Sequence, residues 1–143
     1  MEVNLISISA IITEIETAAA TGQLTDIERF INMLDVSDQL ELHSHLSMNT
    51  LQIIKNHRHE LTISDAVKEH MLWYYLSQQE WSDDVLAETI AIYIESSFIA
   101  MESIVIVALK QNRVTEQQVQ RIRQAFASKE VTRQIEQWRE RFT

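Results

Sequence analysis

The stretch DDVLAETIAIYIESSFIAMESIVIVALKQ, residues 83–111, decides the fold of this 143-residue chain. Its apolar residues recur at helical spacing, and it holds neither glycine nor proline to interrupt a helix. Ser82 precedes it as a typical N-cap, and Asp83 and Asp84 lie where the helix dipole favours negative charge. The pattern therefore predicts one continuous helix over residues 83–111, about 43 Å long.

Three glutamates of this helix, Glu88, Glu95 and Glu102, are spaced by seven residues and share one narrow stripe. Apolar side chains cover much of the remaining circumference, so the helix must be surrounded on several sides. The stripe is interpreted as a solvated face or as an acidic contact for a basic partner. Carboxylates that project into the core are the third option, which is costly without a counter-charge or a metal.

Composition points to helices throughout. The chain has a single glycine, Gly22, and no proline or cysteine. β-Hairpins, phosphate-binding loops and nucleophile elbows depend on glycine, and many metal and redox sites depend on cysteine. An all-α fold is therefore predicted, the motifs of many enzyme classes are absent, and no motif is specific enough to indicate a family.

Capping residues divide the rest of the chain into shorter helices. Gly22 is expected to end the first, and residues 47–50 to kink or split the third. Together with the central helix and the C-terminal pair, these elements predict one domain, residues 1–143, a compact bundle of six to seven helices around the long helix. The predicted starts before residue 83 are Asn4, Thr25 with Glu28 as a capping box, Ser37 or Asp38, and Thr62 with Asp65.

Residues 115–142 are predicted to form an amphipathic, basic pair of helices. Asn112 is expected to end the central helix, Thr115 with Gln118 forms a capping box, and Ser128 caps the last helix. Such a pair could pack on its own chain or form a symmetric dimer.

Charge is distributed unevenly around the net value of −9. Residues 1–109 carry seventeen acidic and four basic groups, whereas residues 110–143 carry four acidic and eight basic groups. The basic segment either neutralises the acidic body within one chain or meets an acidic partner or nucleic acid. The overall negative charge disfavours nucleic acid, since affinity for DNA comes chiefly from phosphate neutralisation.

Targeting signals are not evident. No charged region precedes the apolar residues 5–12, and no charge-free apolar run reaches the about 20 residues of a membrane span. We therefore expect a soluble, cytoplasmic protein with no membrane contact.

The five histidines do not predict a metal site. His43 and His45 are two residues apart, as are His57 and His59, and this spacing places side chains on opposite faces of a helix. We therefore predict no catalytic residue, no metal ligand and no cofactor, with a site assembled across helices as the remaining alternative.

Several residues are candidates for contact with a partner. Trp73 lies on a polar helix face, where tryptophan is a plausible interface anchor. Trp138 lies in an apolar stripe and is either core or interface. The full set of predicted contact residues is Trp73, Glu88, Glu95, Glu102, Arg121, Arg133 and Trp138.

The leading functional hypothesis is a non-enzymatic protein-binding module, an adaptor, inhibitor, immunity protein or chaperone, that acts through helix faces and could form a homodimer. One alternative is a regulator linked to nucleic acid, either through Arg121 and Arg133 or as an acidic mimic of DNA. The second alternative is a metal-dependent enzyme built in a helical bundle.

Overall fold

The computed structural model describes residues 7–142, and within that range it holds nine α-helices, one short 3-10 turn (Leu42–Ser44) and no strand. The predicted all-α class is confirmed, with more helices than the six to seven expected. No helix within this range has the length and apolarity needed to cross a membrane. The helices are α1 (Ile8–Ala20), α2 (Leu24–Asn32), α3 (Val36–Glu41), α4 (Met48–Asn56), α5 (Asp65–Ser77), α6 (Asp83–Ser96), α7 (Ala100–Lys110), α8 (Glu116–Ala125) and α9 (Lys129–Phe142).

The single central helix predicted over residues 83–111 is wrong. α6 ends at Ser96, Ser97 adopts a left-handed backbone with φ of 55°, and α7 begins only at Ala100. The Ser97 N–H donates to the carbonyl oxygen of Tyr93 at 2.8 Å, which closes the last turn of α6. Apolar periodicity continues through this point and does not reveal the break, because serine carries no strong breaker signal.

The chain divides into two compact units, Met1–Tyr75 and Leu76–Thr143. In the first unit α1 packs against α2 and α4, and in the second α6 packs against α7 and α8 while α9 packs against α7 and α8. The expectation that residues 1–143 form one domain stays a prediction.

A partly exposed carboxylate, Glu16, joins α1 to α4 in the first unit. Glu16 accepts hydrogen bonds from the Ser47 N–H at 2.7 Å, the Ser47 hydroxyl at 2.8 Å and the Thr50 hydroxyl at 2.5 Å. Burial alone would raise the pKa of Glu16, but the hydrogen bonds from Thr50 and Ser47 outweigh it and hold that pKa below its ordinary value. Ser47 also caps α4, which confirms the split predicted at residues 47–50.

The turn after α1 confirms the role of Gly22, whose φ is 72°. Gly22 and Gln23 donate their N–H groups to the carbonyl oxygens of Ala19 and Ala18, the arrangement of a Schellman motif. This turn is so short that α2 begins at Leu24, and the capping box predicted at Thr25 is therefore wrong.

Two further predicted helix starts are wrong by a few residues. Glu28, expected to complete the Thr25 box, instead accepts from the backbone N–H of Thr62 at 2.9 Å, and Ser64 rather than Thr62 caps α5. Asp35 caps α3 ahead of the expected Ser37 or Asp38. The predicted start at Asn4 lies outside the described residues.

A buried amide organises the second unit. Thr115 and Gln118 form the predicted capping box of α8, and the Gln118 side chain also accepts from Trp81 Nε1 at 2.9 Å and donates to Asp83 at 2.7 Å. These bonds join the start of α6 to the start of α8. The predicted Ser82 and Ser128 caps are also present.

Candidate functional site

Four aromatic rings of the first unit meet at one place, which we call the aromatic surface: His43, His70, Trp73 and Tyr74. The centre of the His43 ring lies 5.8 Å from that of His70, 6.2 Å from that of Trp73 and 5.1 Å from that of Tyr74. His70 is exposed and the other three are partly exposed. His43 therefore contacts the other three rings, and the cluster is accessible to solvent or to a partner.

Helix geometry explains three of the four rings. His70, Trp73 and Tyr74 stand at positions i, i+3 and i+4 of α5, so they share one face. His43 comes from the 3-10 turn, far away in sequence. The sequence predicted Trp73 as a contact residue but missed its three neighbours. The spacing within α5 could have indicated His70 and Tyr74, whereas no local signal identifies His43.

Both histidine rings are held by the backbone of their own segment. His43 Nδ1 lies 2.9 Å from the carbonyl oxygen of Leu40, and His70 Nδ1 lies 2.8 Å from that of Ala66. A carbonyl oxygen only accepts hydrogen bonds, so each Nδ1 carries a proton and donates it. These bonds restrict the rotation of the two rings.

The aromatic surface belongs to an acidic unit. Residues 1–75 carry eleven acidic and four basic side chains, a net charge of −7 with histidine neutral. Three of those basic side chains are engaged with their own unit. Lys55 is buried with its Nζ 5.6 Å from the centre of the Tyr75 ring, Arg29 pairs with Asp26 at 3.2 Å, and Arg58 donates to the carbonyl oxygen of Lys55 at 2.8 Å. The field of this unit therefore attracts cations.

The predicted glutamate stripe does not exist as one feature, because the α6–α7 break separates its members. Glu88 and Glu95 lie on α6, whereas Glu102 lies on α7 and accepts from the Tyr93 hydroxyl at 3.2 Å. Burial, with the neighbouring charge of Glu102 and this bond, raises the pKa of Tyr93. Glu102 thus makes a bond across the corner between the two helices.

Arginines of the C-terminal helices pair with acids of the same segment. Arg133 contacts Glu130 at 2.6 Å, and Arg139 contacts Glu116 at 2.7 Å, and these bonds lower the pKa of both carboxyl groups. Arg121, the other predicted contact, is exposed on α8. The two pairs remove part of the positive charge that a phosphate contact would use.

Trp138 lies in the core of the second unit, where it is only 5% exposed. Its Nε1 donates to the side chain of Asn112 at 2.9 Å. Asn112 has φ of 52° and ends α7 as predicted. Of the two environments expected for Trp138, the structure shows the core.

Three further features bear on ligands. Among residues 7–142, no three histidine or acidic side chains are grouped so that they could hold a metal ion. An apolar groove of about 430 Å³ lies on α1 and α2 and is lined by Ala10, Ile11, Thr13, Glu14, Phe30 and Met33. At the α6–α7 corner, Ile94 is 68% exposed and Ile99 is 72% exposed.

Comparison with known proteins finds no matching family model, no matching curated protein and no matching solved structure. Function must therefore be inferred from the residues themselves and their arrangement.

Proposed function

We propose that this protein is a non-enzymatic binding module that contacts a basic segment of another protein through the aromatic surface. The observation that carries the proposal is the cluster of partly exposed rings, Trp73 and Tyr74 around His43, in a unit of net charge −7. Tryptophan and tyrosine are enriched among the residues that dominate binding energy. An adaptor, inhibitor, immunity protein or chaperone would each use such a surface.

Two physical reasons favour a basic partner. Opposite net charge accelerates encounter and suppresses wrong partners. The faces of tryptophan and tyrosine also attract arginine and lysine side chains, a contact worth about 0.5–2 kcal/mol. The unit already contains two contacts of a cation with an aromatic face, Arg29 over Phe30 at 4.4 Å and Lys55 over Tyr75 at 5.6 Å.

Replacement of Trp73 by alanine tests the proposal. Removal of a central anchor costs about 2 kcal/mol, which corresponds to a roughly 30-fold loss of affinity. Wild-type protein, Trp73→Ala and the control Phe142→Ala, which changes an exposed aromatic side chain of α9, are used to capture proteins from the native host. Captured proteins are quantified by mass spectrometry, and the affinity of each specific one is measured by calorimetry.

The expected partner contains a basic segment, is lost with Trp73→Ala and is retained with Phe142→Ala. Its affinity also falls as salt is raised, because charged contacts are screened. Specific partners that bind Trp73→Ala as well as wild type, while circular dichroism shows both folded, would refute the proposal. A partner that is itself a DNA-binding protein, and that DNA displaces, would identify the acidic-mimic form of this function.

Self-association is a second candidate, and the exposure of Ile94 and Ile99 favours it. Both side chains flank the α6–α7 corner, and Val107 of α7 is also 47% exposed. In a symmetric dimer the same corner of both chains would meet, so Ile94 and Ile99 of each chain would be buried.

A further inference from the structure

The two histidines of the aromatic surface have an arrangement typical of metal ligands. Each ring donates from Nδ1 to a backbone carbonyl oxygen, Leu40 for His43 and Ala66 for His70. Among residues 7–142 neither ring makes another hydrogen bond, so Nε2 of each neutral ring keeps its lone pair available. Histidine ligands commonly use one nitrogen for the metal and donate the other N–H to a carbonyl oxygen, which fixes the tautomer.

The separation of the rings also suits a shared ion. With zinc–nitrogen bonds of about 2.0–2.1 Å, the centres of two imidazoles on one ion are about 5–6 Å apart. The His43 and His70 ring centres are 5.8 Å apart, and their planes are inclined by 40°. His70 is exposed and His43 is partly exposed, so an ion from solvent can reach the pair.

We propose that His43 and His70 form a two-imidazole site for a divalent transition-metal ion, Ni²⁺, Cu²⁺ or Zn²⁺, bound through the two Nε2 atoms. Imidazole nitrogen suits these ions. No third acidic or histidine side chain completes the site among residues 7–142, so water or a group from outside the described chain fills the other positions. The site is open, and it is unrelated to the His43/His45 and His57/His59 spacings in the sequence.

This site does not depend on the proposed protein partner, because it requires only the two rings. The metal would lie near Trp73, whose ring centre is 6.2 Å from that of His43. The Trp73 indole N–H signal therefore reports the binding of a paramagnetic ion at this site.

The test is a titration of the untagged full chain with Ni²⁺, followed by ¹H–¹⁵N correlation spectra and calorimetry. The indole signals are assigned from tryptophan-to-phenylalanine variants. The matched variants are His43→Asn and His70→Asn, because the asparagine amide can still donate to the backbone carbonyl but has no second nitrogen. The control is the double variant His57→Asn/His59→Asn, which alters the other histidine pair of the same unit.

We expect one equivalent of Ni²⁺ to broaden the Trp73 indole signal of the wild type, and this broadening to be lost in His43→Asn and His70→Asn. His43→Asn and His70→Asn should each weaken binding at least tenfold, and the double control should leave it unchanged. Binding that survives both single variants, or that the His57/His59 change abolishes, would overturn the proposal. Helicity of every variant is checked by circular dichroism. Capture of a partner through Trp73 is measured without metal, so failure of one proposal is distinguishable from failure of the other.

Discussion

Replacement of Ser97 by glycine is expected to stabilise the second unit. Ser97 is exposed and holds φ of 55° between α6 and α7. A side chain with a Cβ is strained in this left-handed conformation by roughly 1–2 kcal/mol, and glycine is not. Glycine also gains about 0.4–1 kcal/mol of freedom in the unfolded chain, so the net stabilisation is about 0.5–1 kcal/mol.

Comparison of Ser97→Gly with Ser97→Ala distinguishes the left-handed break from a continuous helix, because the order of stability of the two variants differs. In the observed left-handed conformation, the glycine variant should be about 1 kcal/mol more stable than the alanine variant. In a continuous helix over residues 83–111 the order would reverse, because glycine is about 1 kcal/mol less favourable than alanine in a helix interior. The stability difference between the glycine and alanine variants therefore changes by about 2 kcal/mol from one backbone to the other.

The measurement is urea unfolding followed by circular dichroism and tryptophan fluorescence. Ala91→Gly is the matched control, because Ala91 is exposed within α6 and its replacement should cost about 1 kcal/mol. An alanine variant at position 97 that is more stable than the glycine variant would refute the left-handed break.

Two further predictions concern the Glu16 carboxylate of the first unit and the exposed corner of the second unit. Glu16 has a lowered pKa, so its contribution to the free energy of unfolding is present above about pH 4.5 and is lost as pH falls through the lowered value. Glu16→Gln should therefore be less stable than wild type at pH 7, and its free energy of unfolding should change less with pH from about pH 5 to pH 3. The same change at exposed Glu14 is the control. Equal pH dependence of unfolding in wild type and Glu16→Gln would contradict the assignment. If the protein dimerises through the α6–α7 corner, Ile99→Asp should shift the mass measured by light scattering towards the monomer, since a buried charge is costly, whereas an unchanged dimer would exclude this corner.

Helix ends were predicted where the capping residue acts within its own turn. Gly22, Ser82, Asn112, Thr115 and Ser128 all have the predicted role. A cap depends on hydrogen bonds among three or four neighbouring residues, so the local sequence carries the information.

The errors at Thr25 and Thr62 arise from one long-range bond and one short turn. Glu28 binds the backbone of Thr62, which lies 34 residues away, instead of capping its own helix. The Gly22 turn leaves no room for a separate cap before Leu24. Several capping residues near a helix start have similar local energies, and tertiary packing decides which of them caps the helix.

The candidate site shows the same limit more strongly. The partial exposure of Trp73 could be predicted from its place on a polar helix face, and the acidic charge could be counted, whereas the role of Trp73 in binding stays a prediction. The contact of His43 with His70 could not, because it joins two helical segments that the sequence separates by 27 residues.

By itself the amino-acid sequence determined that the chain is helical, where locally capped helices begin or end, and that acidic side chains predominate. Those properties follow from the conformational freedom of each residue, from bonds to near neighbours, and from composition. Only the tertiary structure decided that residues 83–111 bend at Ser97, that Glu16 binds the cap of α4, and that the ring centres of two histidines distant in sequence lie 5.8 Å apart. These features depend on packing between segments that are distant in sequence, and the spacing of apolar residues does not predict that packing.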